Sequence, residues 1–139
     1  MLIIVRVAIV SAVIVSDGRF LLGYRSASKS VFPSTWDFLG GHVEELETPR
    51  DAVVRECLEE AGIVIEEFFE YPTSLVFDDM VLSCFCVTKF SGEPINSAPS
   101  EHDELRWFTF AEAKELNLAI PEMLQEFEAI IGIPLDDTV

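Results

Sequence analysis

The chain has 139 residues, half of them apolar and 11% aromatic, which suffices for one domain with a sizeable core and excludes wholesale disorder. Lysine and arginine number 9 against 25 aspartates and glutamates, a formal charge of −16. Nucleic-acid backbones and anionic membranes are gripped by basic footprints, so neither is expected as a partner, and an anionic substrate calls for a metal to bring it in.

Met1 to Val15 is strongly apolar, but Arg6 and Ser11 interrupt it, no basic stretch precedes it, and it is too short to span a bilayer. Its valines and isoleucines predict a buried strand. Asp17-Gly18 is a turn signal between Ile3–Val15 and Phe20–Tyr24, so the two runs read as a hairpin. Ser26 to Ser34 is a polar loop, and Trp36 to Leu39 a short strand ending in the pair Gly40-Gly41. Glycines let a backbone approach a ligand closely, and a carbonyl or amide exposed there suits a metal-bound phosphate; a plain strand-to-helix loop is the alternative.

A well-specified helix follows. Thr48 is its N-cap, Pro49 its first residue and Asp51 the capping acid, while Gly62 supplies the stop. Glu56, Glu59 and Glu60 stand at i, i+3 and i+4, within about 100° of one another at about 100° per residue. Val53, Val54, Cys57, Leu58 and Ala61 fall opposite, so the acidic face is expected to point away from the core, to solvent or a cleft. Like charges at this spacing destabilise a helix by a few tenths of a kcal/mol per pair, about 0.2–0.5. A solvated acidic face accounts for them; so does a hard divalent cation, which prefers carboxylate oxygen and reverses the sign of that cost.

Beyond the helix, Ile63 to Tyr71 and Leu75 to Phe77 read as extended, Asp78-Asp79 turns the chain, and Met80 to Phe90 returns. Cys84 and Cys86 lie on one face of that return strand; without further Cys or His partners, core packing is the better reading than a soft-metal site. Three cysteines, an odd number without a signal peptide, predict a reducing cytoplasm. Ser91 to Ser100 is a loop, and Arg106-Trp107-Phe108 a last short strand. Thr109 to Leu116 opens with a capping box of Thr109 and Glu112, and Pro121 to Ile131 is a helix with Met123, Leu124, Phe127, Ile130 and Ile131 on one face.

The segment Gly41, five residues, Glu47, seven residues, Arg55-Glu56-Cys57-Leu58-Glu59-Glu60-Ala61-Gly62-Ile63 resembles the Nudix box, G-x5-E-x7-R-E-U-x-E-E-x-G-U with U a bulky apolar residue. Every fixed position matches. Cys57 is less bulky than the usual residue at the first U, and Leu39 stands where a proline is frequent in the family's approach to the box. The resemblance implies a single Nudix domain over residues 1–139 with its box at 41–63, an α/β fold of the α/β/α sandwich type with a mixed β-sheet between helices, and hydrolysis of a pyrophosphate bond. It implies Mg²⁺ or Mn²⁺ held mainly by Glu56 and Glu60, with Glu59 direct or through water and the Gly40 carbonyl completing the shell. Arg55 is expected to pair with Glu47 and so hold the glutamates in place.

The same resemblance implies a general base in the loop before the last tryptophan strand. Glu101 is the first choice and Glu104 the second, with a box glutamate as the remaining option. His102 is chemically able to serve as the base, but a lone loop histidine reads as a surface residue, and His42 as structural or at most a phosphate contact. Tyr24-Arg25 is expected near the nucleotide cleft, with Arg25 and Gly41 contacting substrate. The family cleaves nucleoside diphosphates linked to many groups. No Ser-Gln-Pro-Trp-Pro-Phe string of the NADH type follows the box, and Asp79 stands where many ADP-ribose hydrolases carry proline. Asn117 is the nearest candidate for the asparagine that reads oxidised guanine, but its context is not reproduced. A small-molecule nucleotide, either a nucleoside triphosphate or a nucleotide-sugar, is the expected substrate, and a homodimer is compatible with the chain. The competing readings are a catalytically silent Nudix-fold nucleotide-binding or regulatory domain and a small acidic cation-binding protein of another fold.

Overall fold

A computed structural model of the chain describes residues 5–72 and 74–125. In chain order the elements are β1 (Val7–Ser16), β2 (Arg19–Arg25), β3 (Trp36–Asp37), β4 (Leu39–His42), α1 (Pro49–Ala61), β5 (Val64–Glu70), β6 (Leu75–Val76), β7 (Met80–Ser91), β8 (His102–Phe108) and α2 (Phe110–Ala113). The chain is helical again at 121–125. Among the described residues no helix is long and apolar enough to cross a membrane.

β1 is the hub of a mixed sheet. It runs parallel to β7, from Val7↔Met80 to Ile14↔Val87, and antiparallel to β4, from Ile9↔His42 to Ala12↔Leu39. β5 and β6 extend the β7 side. The hairpin forms at Asp17-Gly18, where both residues have positive φ (52° and 72°), the geometry whose twist matches the strands it joins. β2 stays with β1 only at Val15↔Phe20 and Ser16↔Arg19, then turns to pair with β8 and β3.

The two-residue period of the strands divides the core into two faces. Val13, Leu22, Leu82, Cys84, Cys86 and Phe108 pack on one face with Ala113 of α2 and with Met123 and Leu124. Val10, Ala12, Ile14, Leu21, Phe85 and Val87 pack on the other against Ala52, Val53, Cys57 and Ala61 of α1. The sheet therefore lies between helices, as the resemblance implies. Cys84 and Cys86 are core residues on one face, and none of the three cysteines is in a disulfide.

Several boundaries differ from expectation. The first strand begins at Val7 and ends at Ser16; residues 1–4 lie outside the described part. Trp36 to Leu39 is two strands, because Trp36 and Asp37 pair with β2 whereas Leu39 pairs with β1. The last strand starts at His102, four residues before Arg106, since β2 supplies partners as far as Arg25↔His102. The capping box at Thr109 and Glu112 forms, but its helix stops at Ala113. The helix expected over Pro121 to Ile131 is observed to Gln125; Phe127, Ile130 and Ile131 lie outside the described residues.

Candidate active site

The local signals of α1 are all used. Thr48 accepts from the Asp51 N–H at 3.1 Å, Pro49 occupies the first turn, and Gly62 takes the left-handed conformation (φ 68°) and donates back to Leu58. The rotation of the helix about its axis is not what the sequence predicts. Leu58, expected to face the core, is 52% exposed, while Glu60, on the face expected to meet solvent or a cleft, is only 5% exposed and lines a cleft. The sheet face that receives α1 is lined by β-branched and aromatic side chains that accommodate Val53, Cys57 and Ala61, and seating these brings Glu60 down to the edge of β4. Glu59 alone of the three glutamates stays largely exposed.

β4 meets Glu60 with its backbone. In an antiparallel ladder alternate residues point both their N–H and C=O away from the partner strand. The Gly40 N–H, turned from β1, donates to Glu60 Oε2 at 2.9 Å, and the His42 carbonyl accepts from Arg55 Nη2 at 2.9 Å. Both glycines are required by close approach. A Cβ at Gly40 would lie 1.9 Å from the Val10 carbonyl oxygen, and one at Gly41 2.5 Å from Glu56 Oε1.

Arg55 forms the expected pair with Glu47, a two-pronged bridge with Nε to Oε2 at 2.8 Å and Nη2 to Oε1 at 2.9 Å. It also reaches further, donating through Nη1 to Glu56 at 2.9 Å and Glu59 at 3.1 Å. The guanidinium holds the Glu47 carboxyl well below the usual range, at about 2. Burial, and then the neighbouring Glu60 charge, push Glu56 up to about 7 despite Arg55. Burial also raises Glu60, opposed by its hydrogen bonds from His102 and Gly40. Two acids on one seam thus resist ionisation as they stand.

Glu60, Gly40 and Gly41 open onto a cleft of about 380 Å³ whose walls include Arg25, Lys29, Asp37, Phe38, Glu101 and His102. Arg25 lines the cleft, but its guanidinium already donates to the Val31 and Phe32 carbonyls and stands 3.8 Å from Asp37. Tyr24 packs on Trp36 with ring centroids 5.0 Å apart, an aromatic contact of the core edge. Glu101 forms an ion pair with Lys29 at 2.6 Å, which lowers its pKa. Glu104 pairs with Arg106 and is absent from the cleft wall. Asn117 contributes a backbone carbonyl to the Trp36 N–H. Among the described residues, no three histidine, cysteine, aspartate or glutamate side chains are grouped tightly enough to hold an ion as they stand.

Two cleft residues, Asp37 and Lys29, escaped the sequence reading, and a third, His102, was expected at the surface. His102 is not at the surface: it is 2% exposed, with Nε2 2.9 Å from Glu60 Oε1, because β8 begins at His102 and turns its ring inward. Asp37 keeps 16% of its side chain exposed, yet burial pushes its carboxyl up to about 7 against the pull of Arg25. A charged residue inside the apolar run Trp36 to Leu39 is the signal that would have found it. Lys29, in the polar loop, carries no comparable signal.

The sequence pattern of the NUDIX domain matches residues 5–127. A CTP pyrophosphohydrolase of Escherichia coli (strain K12) is 35% identical over 130 residues, spanning 91% of this chain and 93% of that protein. An isopentenyl-diphosphate Delta-isomerase of Salmonella typhi is 29% identical over 116 residues, and the match spans 62% of its length. The crystal structure of a MutT NUDIX hydrolase from Burkholderia pseudomallei superposes with a TM-score of 0.70 at 31% identity, covering 77% of this chain and 85% of that one. With the box glutamates assembled along α1 against the β4 glycines, the chain belongs to the NUDIX family, as a pyrophosphohydrolase.

Proposed function

We propose that the chain hydrolyses a free nucleoside triphosphate to the monophosphate and pyrophosphate in a divalent-metal-dependent reaction, with CTP the first substrate to test. The observation that carries this reading is the buried Glu60 carboxylate, oriented by the Gly40 N–H at the floor of a 380 Å³ cleft with Arg25 and Lys29 on its wall. That volume lies toward the small end for ligand pockets, about 300–1,000 Å³, and suits one nucleotide better than a polymer. The likeness to a CTP pyrophosphohydrolase points to a triphosphate ahead of a nucleotide-sugar.

The donors at the seam suit Mg²⁺ or Mn²⁺. Glu56 and Glu60 are hard oxygen ligands whose pKa values are raised by burial and, at Glu56, also by the neighbouring Glu60 charge, a penalty that a cation would offset. Gly40 turns its carbonyl to the same side as the N–H that meets Glu60, and Glu59 stands one turn from Glu56. When bound, the metal neutralises phosphate charge and acidifies the attacking water. The chain's own residues do the rest. Arg55 positions Glu56 and Glu59 through its bridge to Glu47, and Gly41 lets the Glu56 carboxylate lie close against β4, where its backbone faces the substrate. Arg25 and Lys29 offer positive charge to the nucleotide. Glu101, kept ionised by Lys29, accepts the water's proton; Glu104 is too far round β8 to compete.

A panel of nucleotides with Mg²⁺ or Mn²⁺ in ¹⁸O-labelled water tests the reading. A monophosphate and pyrophosphate should form, with the label in a phosphate product, and EDTA should abolish turnover. Undiminished turnover in EDTA, or label found only in a sugar or base, refutes it. No turnover of any nucleotide would favour a silent binding domain.

A further inference from the structure

We propose that His102 is the positioning residue for the Glu60 carboxylate and that Gly23 is the cradle that admits its ring; the inference rests on Glu60 being the principal metal-holding acid. His102 is anchored as backbone before its ring is considered. It pairs with Arg25 across β2, its N–H donates to the Ala98 carbonyl at 3.1 Å, and its own carbonyl accepts from Asn96 Nδ2 at 2.8 Å. From this fixed base the ring reaches Glu60, 42 residues away in sequence, with Nε2 2.9 Å from Oε1.

The other ring nitrogen settles the role. Nδ1 is buried and has no hydrogen-bond partner among the described residues. An orphaned buried N–H is rarer than an unfilled acceptor, so the hydrogen sits on Nε2 and is donated to Glu60. Nδ1, the nitrogen left basic, is buried against Gly23 and out of reach of a substrate water, which excludes His102 as the general base. The Gly40 N–H holds Oε2 and the His102 N–H holds Oε1, one donor from β4 and one from β8. Held at both oxygens, the carboxylate keeps one orientation while each oxygen retains a lone pair for a cation. A histidine–carboxylate contact of this kind typically changes metal affinity about 10–100-fold.

Gly23 makes the arrangement possible. A Cβ there would lie 2.6 Å from Nδ1 and 2.9 Å from Cε1 of the ring. Glycine inside a strand sacrifices side-chain packing and marks close approach by another group; here the group is the imidazole.

The test is Mn²⁺ binding without nucleotide, followed by electron paramagnetic resonance, with thermal unfolding to establish the folded fraction of each variant. His102→Ala should weaken Mn²⁺ binding by about 10–100-fold. His102→Gln, which places an N–H near the same point, should restore most of it. Gly23→Ala should weaken binding by displacing the ring, and should cost nothing further in a His102→Ala background. Nitrogen NMR should place the ring proton on Nε2. Wild-type affinity in His102→Ala, no rescue by glutamine, additive losses for the double variant, or a proton on Nδ1 would each overturn the proposal. Glu60→Gln in the same assay separates the two levels. If Glu60→Gln loses Mn²⁺ while His102→Ala does not, Glu60 stands and His102 fails; if Glu60→Gln binds normally, the Glu60 reading itself fails.

Discussion

Alanine at Gly41 and alanine at Gly40 should have opposite consequences, although the residues are adjacent. A Cβ on Gly41 meets the Glu56 carboxylate at 2.5 Å, the far end of a flexible side chain, whereas ordinary contact begins near 3.4 Å. The carboxylate must therefore retreat by about 1 Å, and no backbone need move. Gly41 is not in the left-handed region, so alanine is tolerated there and removes unfolded-state freedom worth about 0.4–1 kcal/mol. Stability should stay near that of the wild type. Activity should not, because a misplacement of about 1 Å in an active site can cost about 10²-fold. On Gly40 the added methyl meets the Val10 carbonyl oxygen at 1.9 Å, backbone against backbone in the β1–β4 ladder. That strand cannot yield locally, so Gly40→Ala should lower the unfolding midpoint sharply. The assay is kcat for pyrophosphate release beside a thermal melt of the same samples. A fully active Gly41→Ala protein, or one whose lost activity matches its lost folded fraction, would refute the placement of Glu56 at the reacting group.

Arg55→Ala should reduce kcat about 10–100-fold by freeing Glu56 and Glu59, and Arg55→Lys should not rescue it, since one ammonium cannot make the two-pronged bridge to Glu47; steady-state kinetics of both variants decide. Glu101→Gln should lower kcat about 10²–10⁴-fold with Mn²⁺ affinity nearly unchanged, while Glu104→Gln should be near wild type; the reverse pattern in the two rate measurements would move the base. Asp37 has its folded pKa raised from 3.8 to about 7, so the folded state holds a proton that the unfolded state has lost, and stability falls as pH rises between those values. Asp37→Asn should therefore gain stability over the wild type at about pH 8 relative to about pH 4.5, and equal differences in melting temperature at the two pH values would show that Asp37 carries no such shift.

What the sequence determined by itself is local. The Asp17-Gly18 turn, the Thr48 cap with Pro49 and Asp51, the Gly62 stop and the Thr109–Glu112 box all form, because each depends on groups a few residues apart. The spacing of Arg55, Glu56, Glu59 and Glu60 likewise survives folding, since a helix fixes the angle between its own side chains. The tertiary structure decided which way that helix faces. Seating Val53, Cys57 and Ala61 on the sheet exposed Leu58 and buried Glu60, a rotation that helical periodicity alone does not determine when glutamates and leucine share its boundary. Long-range pairing decided the rest. His102 became a buried partner of Glu60 because β8 pairs with β2 as far as Arg25 and Gly23 leaves room for the ring; Glu101 met Lys29, 72 residues away, by the same docking of β8. Such contacts arise between strands distant in sequence, and no period or cap along the chain carries a trace of them.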